Sequence, residues 1–300
     1  MHHDAIIVGG SYAGLSAAIQ LGRAGRKVCI VDTGLPRNRF ATASHGFFGH
    51  DGQAPAEMLS RAREQVLAYP TVSFVQDEAV KAEGQDGQFT LRMASGVQRT
   101  ASKLLLAFGV SDELPPIEGM TERWGQSVLH CPYCHGYEYG GNALGVIGRS
   151  VHAAQHAVLI AEWGPTTLFL DGQDALDADG RALLAARGVA IEPAPIRALQ
   201  GDAPALSGVA LADGRTVPIE ALYVAPVTRL NSPIAAQLGC ELADSMFGPI
   251  IATDAMKMTT VPGVFAAGDA ARAPHNATWA SADGVTAGTA LHRALVFGTA

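Results

Sequence analysis

Ala5-Ile6-Ile7-Val8-Gly9-Gly10-Ser11-Tyr12-Ala13-Gly14 stands almost at the start of the chain, and an alanine-rich run from Leu15 to about Ala24 follows it. Four apolar, largely β-branched residues suit a buried strand, and the alanine-rich run suits a helix with Gly25 as its stop. The glycines between them mark a tight turn. A second strand, Lys27 to Val31, ends at Asp32. Strand, turn, helix, strand and acid, in that order, begin a dinucleotide-binding βαβ unit. The full fingerprint has three glycines: for the turn, for close approach of a pyrophosphate, and for packing of helix on strand. Gly9 and Gly14 hold the first and third places, and Ser11 the second. Serine is small enough for a pyrophosphate still to reach the helix N-terminus. Asp32 is suited to a ribose diol.

The same outline returns further on. Ala143-Leu144-Gly145-Val146-Ile147 leads into Gly148-Arg149-Ser150-Val151-His152-Ala153, a helix is expected to about Trp163, and the strand Thr166–Leu170 ends at Asp171. Between the two modules, a helix is expected over Pro55–Ala68, with strands near Thr71–Val75, Phe89–Met93 and Leu104–Ala107. Leu114-Pro115-Pro116 reads as a linker. Near the end, Gly263-Val264-Phe265-Ala266-Ala267-Gly268-Asp269 reads as a strand ending in Gly-Asp, and Ser281–Val296 as a closing helix. The expected fold is α/β, with two Rossmann-like, three-layer ββα nucleotide-binding domains. One is discontinuous, over 1–112 and 226–300, and the other spans 113–225.

Cys131-Pro132-Tyr133-Cys134 lies between His130 and His135. Two thiols at this spacing can close a small disulfide ring, and a neighbouring imidazole can raise the thiolate fraction of the attacking sulfur. Rival owners fit less well. Cys-x-x-Cys-His attaches c-type haem, but that needs an exported protein and leaves both nucleotide turns unexplained. Zinc would need more ligands than the pair and its flanking histidines can converge on one tetrahedron. Glutaredoxins carry Cys-Pro-Tyr-Cys in a much smaller domain. Cys29 and Cys240, the other two of the four cysteines, read as small core residues.

Composition narrows the class. The chain has 300 residues, 48% of them hydrophobic and 16% charged, which excludes a disordered chain and permits two cores. A net charge of −7 without a Lys/Arg cluster argues against nucleic acid as a partner. No apolar run is long enough for a bilayer, and Met1–Asp4 leaves no room for a signal peptide before the first strand. The expected location is the cytoplasm, where a Cys-x-x-Cys is more often catalytic or metal-binding than structural.

Three motifs in order, Ile7 to Ala18, Cys131 to Cys134 and Gly263 to Asp269, resemble those of low-molecular-weight thioredoxin reductases, over nearly the whole chain. The resemblance implies an FAD-binding first module, with Gly9, Ser11, Ala13, Gly14 and Asp32 at the ADP half of the cofactor. It places Gly109 at a strand end near the cofactor. Gly268 and Asp269 fall by its ribityl and phosphate region, and Asn276 and Ala277, after His275, by the flavin ring. It makes Cys134 the flavin-proximal thiol and Cys131 the exchanging one. It also implies a homodimer.

Two departures from that family matter. An Asp usually follows its second cysteine; here His135 does. Cys-x-x-Cys-His-Gly-Tyr-Glu is closer to the dithiol oxidases of gliotoxin and holomycin type, and an imidazole titrating near neutrality suits removal of a thiol proton. His130 and His135 are both candidates for that role. The second departure is in the other nucleotide turn. Ser150 replaces its middle glycine, and Asp171-Gly172-Gln173-Asp174 stands where a basic cluster would hold the 2′-phosphate of NADPH. NADPH is not expected, NADH at best binds weakly, and Arg149 reads as a lone surface arginine. The leading expectation is an FAD-dependent oxidase of a small-molecule dithiol or small redox protein. An NAD(P)H-dependent disulfide reductase and a flavin-binding redox sensor are the alternatives. Phe47, Phe48 and Trp279 read as core packing or as an apolar entrance.

Overall fold

The computed structural model describes residues 2–298, so the expected domain limits at 1 and 300 lie outside it. The first unit runs from the N-terminus to Arg39, over Ala54–Asp112, and from Thr228 onward; the second comprises Phe40–Gln53 and Glu113–Val227. Residues 40–53, expected in the first unit, therefore group with the second. No periodicity in that glycine- and histidine-rich segment could have assigned it.

In the first unit β1 (His2–Val8), α1 (Tyr12–Arg23) and β2 (Val28–Asp32) form the expected βαβ start, followed by α2 (Pro55–Leu67), β3 (Val72–Gln76), β4 (Ala79–Gln85), β5 (Gln88–Met93) and β6 (Gln98–Leu106). The sheet order is β3-β2-β1-β6-β5-β4. β1, β2 and β3 are parallel, and β6 runs parallel to β1, whereas β4, β5 and β6 form an antiparallel meander. Along its length β6 changes partner. Gln98–Ala101 pair with β5, and Leu104–Leu106 pair with the strand Val264–Ala266, which arrives from the far end of the chain. Strand order reverses between β1 and β6, the place where open α/β sheets bind ligands beyond the carboxyl ends of their strands.

Alternation along β1 sends Ala5 and Ile7 into a core shared with α1 and the C-terminal helix Ala277–Phe297. Ile6 and Val8 go to the opposite face, with Cys29, Phe89 and Cys240. Both free cysteines are thus buried core residues, and burial pushes their thiols up in pKa. α1 starts at Tyr12, inside the glycine turn, earlier than the alanine run suggests. The C-terminal helix starts at Ala277 rather than Ser281, because Asn276 caps it and accepts from the N–H groups of Thr278 and Trp279.

The second unit holds a five-stranded, wholly parallel sheet in the order Ala190–Glu192, Thr166–Phe169, Leu144–Ile147, Ala221–Tyr223, Val128–Leu129. Within it, α3 (Pro132–His135) follows the strand Val128–Leu129, and α4 (Ala153–Ile160) follows Leu144–Ile147. Leu144, Val146 and Leu168 pack beneath α4, and Ile147 and Phe169 face the other way, toward Trp124 and Val209. A three-stranded antiparallel sheet, Ile196–Gln200, Gly208–Leu211 and Thr216–Val217, completes the unit. Among the described residues no helix is long and apolar enough to cross a membrane.

Candidate active site

β1 delivers Gly9 to the strand ends at the β1–β6 reversal. Gly9 has φ +110°, and a Cβ there would lie 2.2 Å from the Ala107 carbonyl oxygen, so only glycine lets the turn pass beside β6. A Cβ on Gly14 would meet the Gly9 oxygen at 1.8 Å, which explains why the third place of the fingerprint is also glycine. Ser11 is the N-cap residue of α1, but its side chain makes no capping hydrogen bond. The first turn of α1 therefore keeps N–H groups free of a protein side-chain cap, the arrangement that suits a pyrophosphate. Ala13 is buried one residue before Gly14.

Asp32 is held by the chain around it. Its Oδ2 accepts from Gly10 N–H at 2.5 Å and its Oδ1 from Gly34 N–H at 2.7 Å. Both carboxylate oxygens keep lone pairs for a diol. Gly109 (φ +66°) lies in the connector beyond β6, where Asn231 donates to the neighbouring Phe108 carbonyl at 3.0 Å. Gly268 and Asp269 open a single 3₁₀ turn after the strand Val264–Ala266.

Arg37, which no sequence motif marks, meets two acids here. Its guanidinium pairs in bidentate fashion with Asp112 and reaches Asp269 Oδ2 at 3.1 Å. Burial alone would lower the guanidinium pKa, but the hydrogen bonds and charges of Asp112 and Asp269 outweigh it and hold the group above the usual arginine value. Nearby, the buried Nε2 of His275 has no hydrogen-bond partner in the protein, and its ring lies 5.7 Å from that of Phe247. Burial lowers the His275 pKa, so the imidazole is neutral at pH 7. A pinned carboxylate, a helix start without a side-chain cap and an unsatisfied buried ring nitrogen, all within the first unit, fit the donor set of a dinucleotide with a polar heterocycle.

Cys131 and Cys134 form a disulfide on the second unit, with Cα atoms 5.3 Å apart. Pro132 occupies the first position of α3, where its missing N–H costs nothing. Tyr133 is largely exposed and meets Trp163 edge-on, at 5.6 Å between ring centroids. His130 lies tilted against Trp124, with centroids 5.8 Å apart. His135 ends α3. Desolvation by burial lowers its pKa; the Glu138 carboxylate opposes that, and His45 reinforces it. Glu138 closes the Cys-x-x-Cys-His-Gly-Tyr-Glu motif, but its contact with His45 was not foreseen, because it joins segments about ninety residues apart with no shared pattern.

In the second glycine turn, Gly148 is buried against Leu168 and Ala153, and Arg149 and Ser150 are exposed. Arg149 is not a lone arginine, since its guanidinium pairs with Asp171 Oδ2. Asp171 Oδ1 accepts from Ile196 N–H at 2.8 Å. Asp174 pairs with Arg181. The three aromatic residues expected in the core or at an entrance diverge: Phe48 is 98% exposed, Trp279 43%, and Phe47 packs edge-on against His50.

A dinucleotide-binding first unit joined to a second that carries a redox disulfide defines a flavoprotein oxidoreductase of the thioredoxin reductase type. The chain belongs to the pyridine nucleotide-disulphide oxidoreductase family, whose model matches residues 3–284. It is 33% identical to thioredoxin reductase sirT of Leptosphaeria maculans, over 96% of this chain and 93% of that one. A solved oxidoreductase from Agrobacterium tumefaciens is 47% identical and superposes with a TM-score of 0.95 over 99% of each chain. The solved structure of HlmI is 37% identical, with a TM-score of 0.92 over 98% of this chain and 92% of that one.

Proposed function

We propose that this enzyme oxidises a dithiol to a disulfide through Cys131–Cys134. One substrate thiol loses its proton to an imidazole, His135 or His130, and the thiolate attacks the Cys131 sulfur. The Cys131–Cys134 bond breaks and Cys134 leaves as a thiolate. The second substrate thiol then attacks the sulfur of the mixed disulfide, which frees Cys131 and closes the substrate disulfide. Two electrons and two protons have left the substrate. FAD, when bound, supplies the sink that takes the electron pair from the reduced cysteines and passes it to dioxygen as peroxide. Gly9, Ser11, Ala13, Gly14 and Asp32 would hold its ADP half. Gly109, Gly268 and Asp269 would line its middle, with Asn276 and Ala277 at the ring.

The observation that carries the direction is the Arg149–Asp171 pair. In a nicotinamide site the acid after the second strand takes the ribose diol. Here Arg149 and the Ile196 N–H already engage that acid, and Gly172-Gln173-Asp174, directly after it, holds no basic cluster for a 2′-phosphate. Electrons are thus expected to enter from the thiol side. Stopped-flow mixing of the holoenzyme with NADPH, NADH or a dithiol tests this. Rapid flavin bleaching by a nicotinamide, without dithiol-dependent oxygen uptake, would remove the proposal.

The name of the sirT relative, a thioredoxin reductase, favours a second reading, in which NADH reduces the flavin and the same cysteine pair reduces a disulfide. The substrate is proposed as a compact dithiol or a small redox protein. A cytoplasmic homodimer is the proposed working form, testable by fractionation and light scattering.

A further inference from the structure

The loop Ser44–Gln53 in the second unit is closed on itself. Ser44 N–H donates to the Gln53 carbonyl and Gly52 N–H to the Ser44 carbonyl, each at 2.8 Å. Inside it, Gly46 N–H donates to Asp51 Oδ1 at 2.8 Å, and His50 Nδ1 lies 3.0 Å from Gln53 Oε1. This bracing fixes His45 between two carboxylates: Nδ1 is 3.7 Å from Asp51 Oδ1, and Nε2 is 3.3 Å from Glu138 Oε1. Glu138 follows α3 by three residues and acts electrostatically on His135, as does His45, in the opposite sense. The buried Tyr223 hydroxyl has no hydrogen-bond partner, whereas the Tyr139 hydroxyl donates to the Gln126 carbonyl at 2.9 Å. The loop, α3 and the strand carrying Tyr223 belong to one unit.

Proton balance gives this cluster a task. Each dithiol oxidised releases two protons. One can rest on the freed Cys131 sulfur. If Cys134 stays a thiolate, the other must be held off the sulfurs, and His135 is the first group to take it. We propose that His45 and Glu138, in contact beside α3, form a polar pair that sets the protonation of His135. Glu138 favours the imidazolium, His45 restrains it, and Asp51 anchors His45 from the far side. His45 is thereby a positioning residue of the disulfide centre, acting through His135 without touching substrate. The inference rests on the reading of Cys131–Cys134 and His135 as the reacting groups. It does not depend on the direction of electron flow.

The test follows the His135 imidazole by NMR in histidine-labelled holoenzyme across pH 5–8, with His135→Gln to assign the signal. Glu138→Gln is expected to lower the His135 midpoint and His45→Gln to raise it, each by ~0.5 pH unit, roughly threefold in the protonated fraction. The double variant should return near the starting value. Midpoints that stay put, or that move in the same direction, overturn the proposal. A merely structural role for either residue gives no such opposed pair of shifts, and a poorly folded single variant still leaves the other to be read. Oxygen uptake by wild-type enzyme with dithiothreitol reports separately on the oxidase reading.

Discussion

Arg149 donates to one oxygen of Asp171 while the Ile196 N–H donates to the other, so the acid at the head of the second nucleotide fold is satisfied from within the protein. A ribose diol would have to compete with a cationic side chain for Asp171 Oδ2, whereas Asp32 is held by backbone N–H groups alone. Arg149→Ala should therefore strengthen NADH binding by on the order of tenfold, the scale of one charge-assisted hydrogen bond, and leave NADPH binding unchanged. Titration of the holoenzyme with each nucleotide by fluorescence checks this. Equal gains for both would mean that Arg149 merely blocks the cleft.

Cys131 and Cys134 work as one unit, so removing either should cost nearly as much as removing both. Cys131→Ser and Cys134→Ser are each expected to lower dithiol-dependent oxygen uptake by at least about a thousandfold. Flavin content should be unchanged, because the pair lies on the other unit from the dinucleotide turn.

His135 sets a pH limit. Its pKa is lowered from 6.5, mainly by desolvation, so the neutral base predominates at pH 6.5 and above and is lost at lower pH. The acid limb of dithiol-dependent flavin reduction should lie below pH 6.5. His135→Gln should remove that limb and slow the reaction by roughly 10²–10⁴-fold, the usual worth of a positioned general base. If His135→Gln is silent and His130→Gln removes the limb, the base is His130.

Asp112 is nearly buried, with 4% of its side chain exposed, and the Arg37 fork compensates its charge. Arg37→Met leaves a buried carboxylate unpaired and should destabilise the first unit by about 3–5 kcal/mol. Urea unfolding measures this. Flavin loss is expected alongside, since Arg37 also steadies Asp269.

Burial lowers the pKa of His3, His135, His156 and His275 from 6.5. Well above pH 6.5 neither the folded nor the unfolded chain carries these protons. As pH falls through 6.5 the unfolded chain takes them first, and stability is lost until the folded values are passed. The urea midpoint should thus be lower at pH 5.5 than at pH 7.5.

Much of this was legible from local pattern. Val8-Gly9 and Asp32 announced the first nucleotide turn because strand period, glycine geometry and an acid coincide within one short βαβ unit. The cysteine pair was legible as redox chemistry from its spacing together with the nucleotide turns on either side of it. β4 was not, since a partly polar strand in an antiparallel meander lacks the apolar run of β1. The start of the C-terminal helix was misplaced although its signal was present, an Asn at the N-cap position. Arg37 on Asp269 and His45 on Glu138 join residues distant in sequence. Nothing local requires an arginine or histidine at either place, so only the folded chain discloses them.

The change of partner along β6 has a consequence for synthesis. Every residue of the second unit has been translated by Val227, but the strand that covers Leu104–Leu106 does not exist until Val264–Ala266 are made. Until then the first sheet carries an open edge, the kind of surface that pairs with other chains. The sheet that would cradle the flavin is thus begun at His2–Val8 and completed only at Val264–Ala266. A nascent chain stalled between Val227 and Val264 holds every residue of the redox disulfide unit and an unfinished cofactor fold.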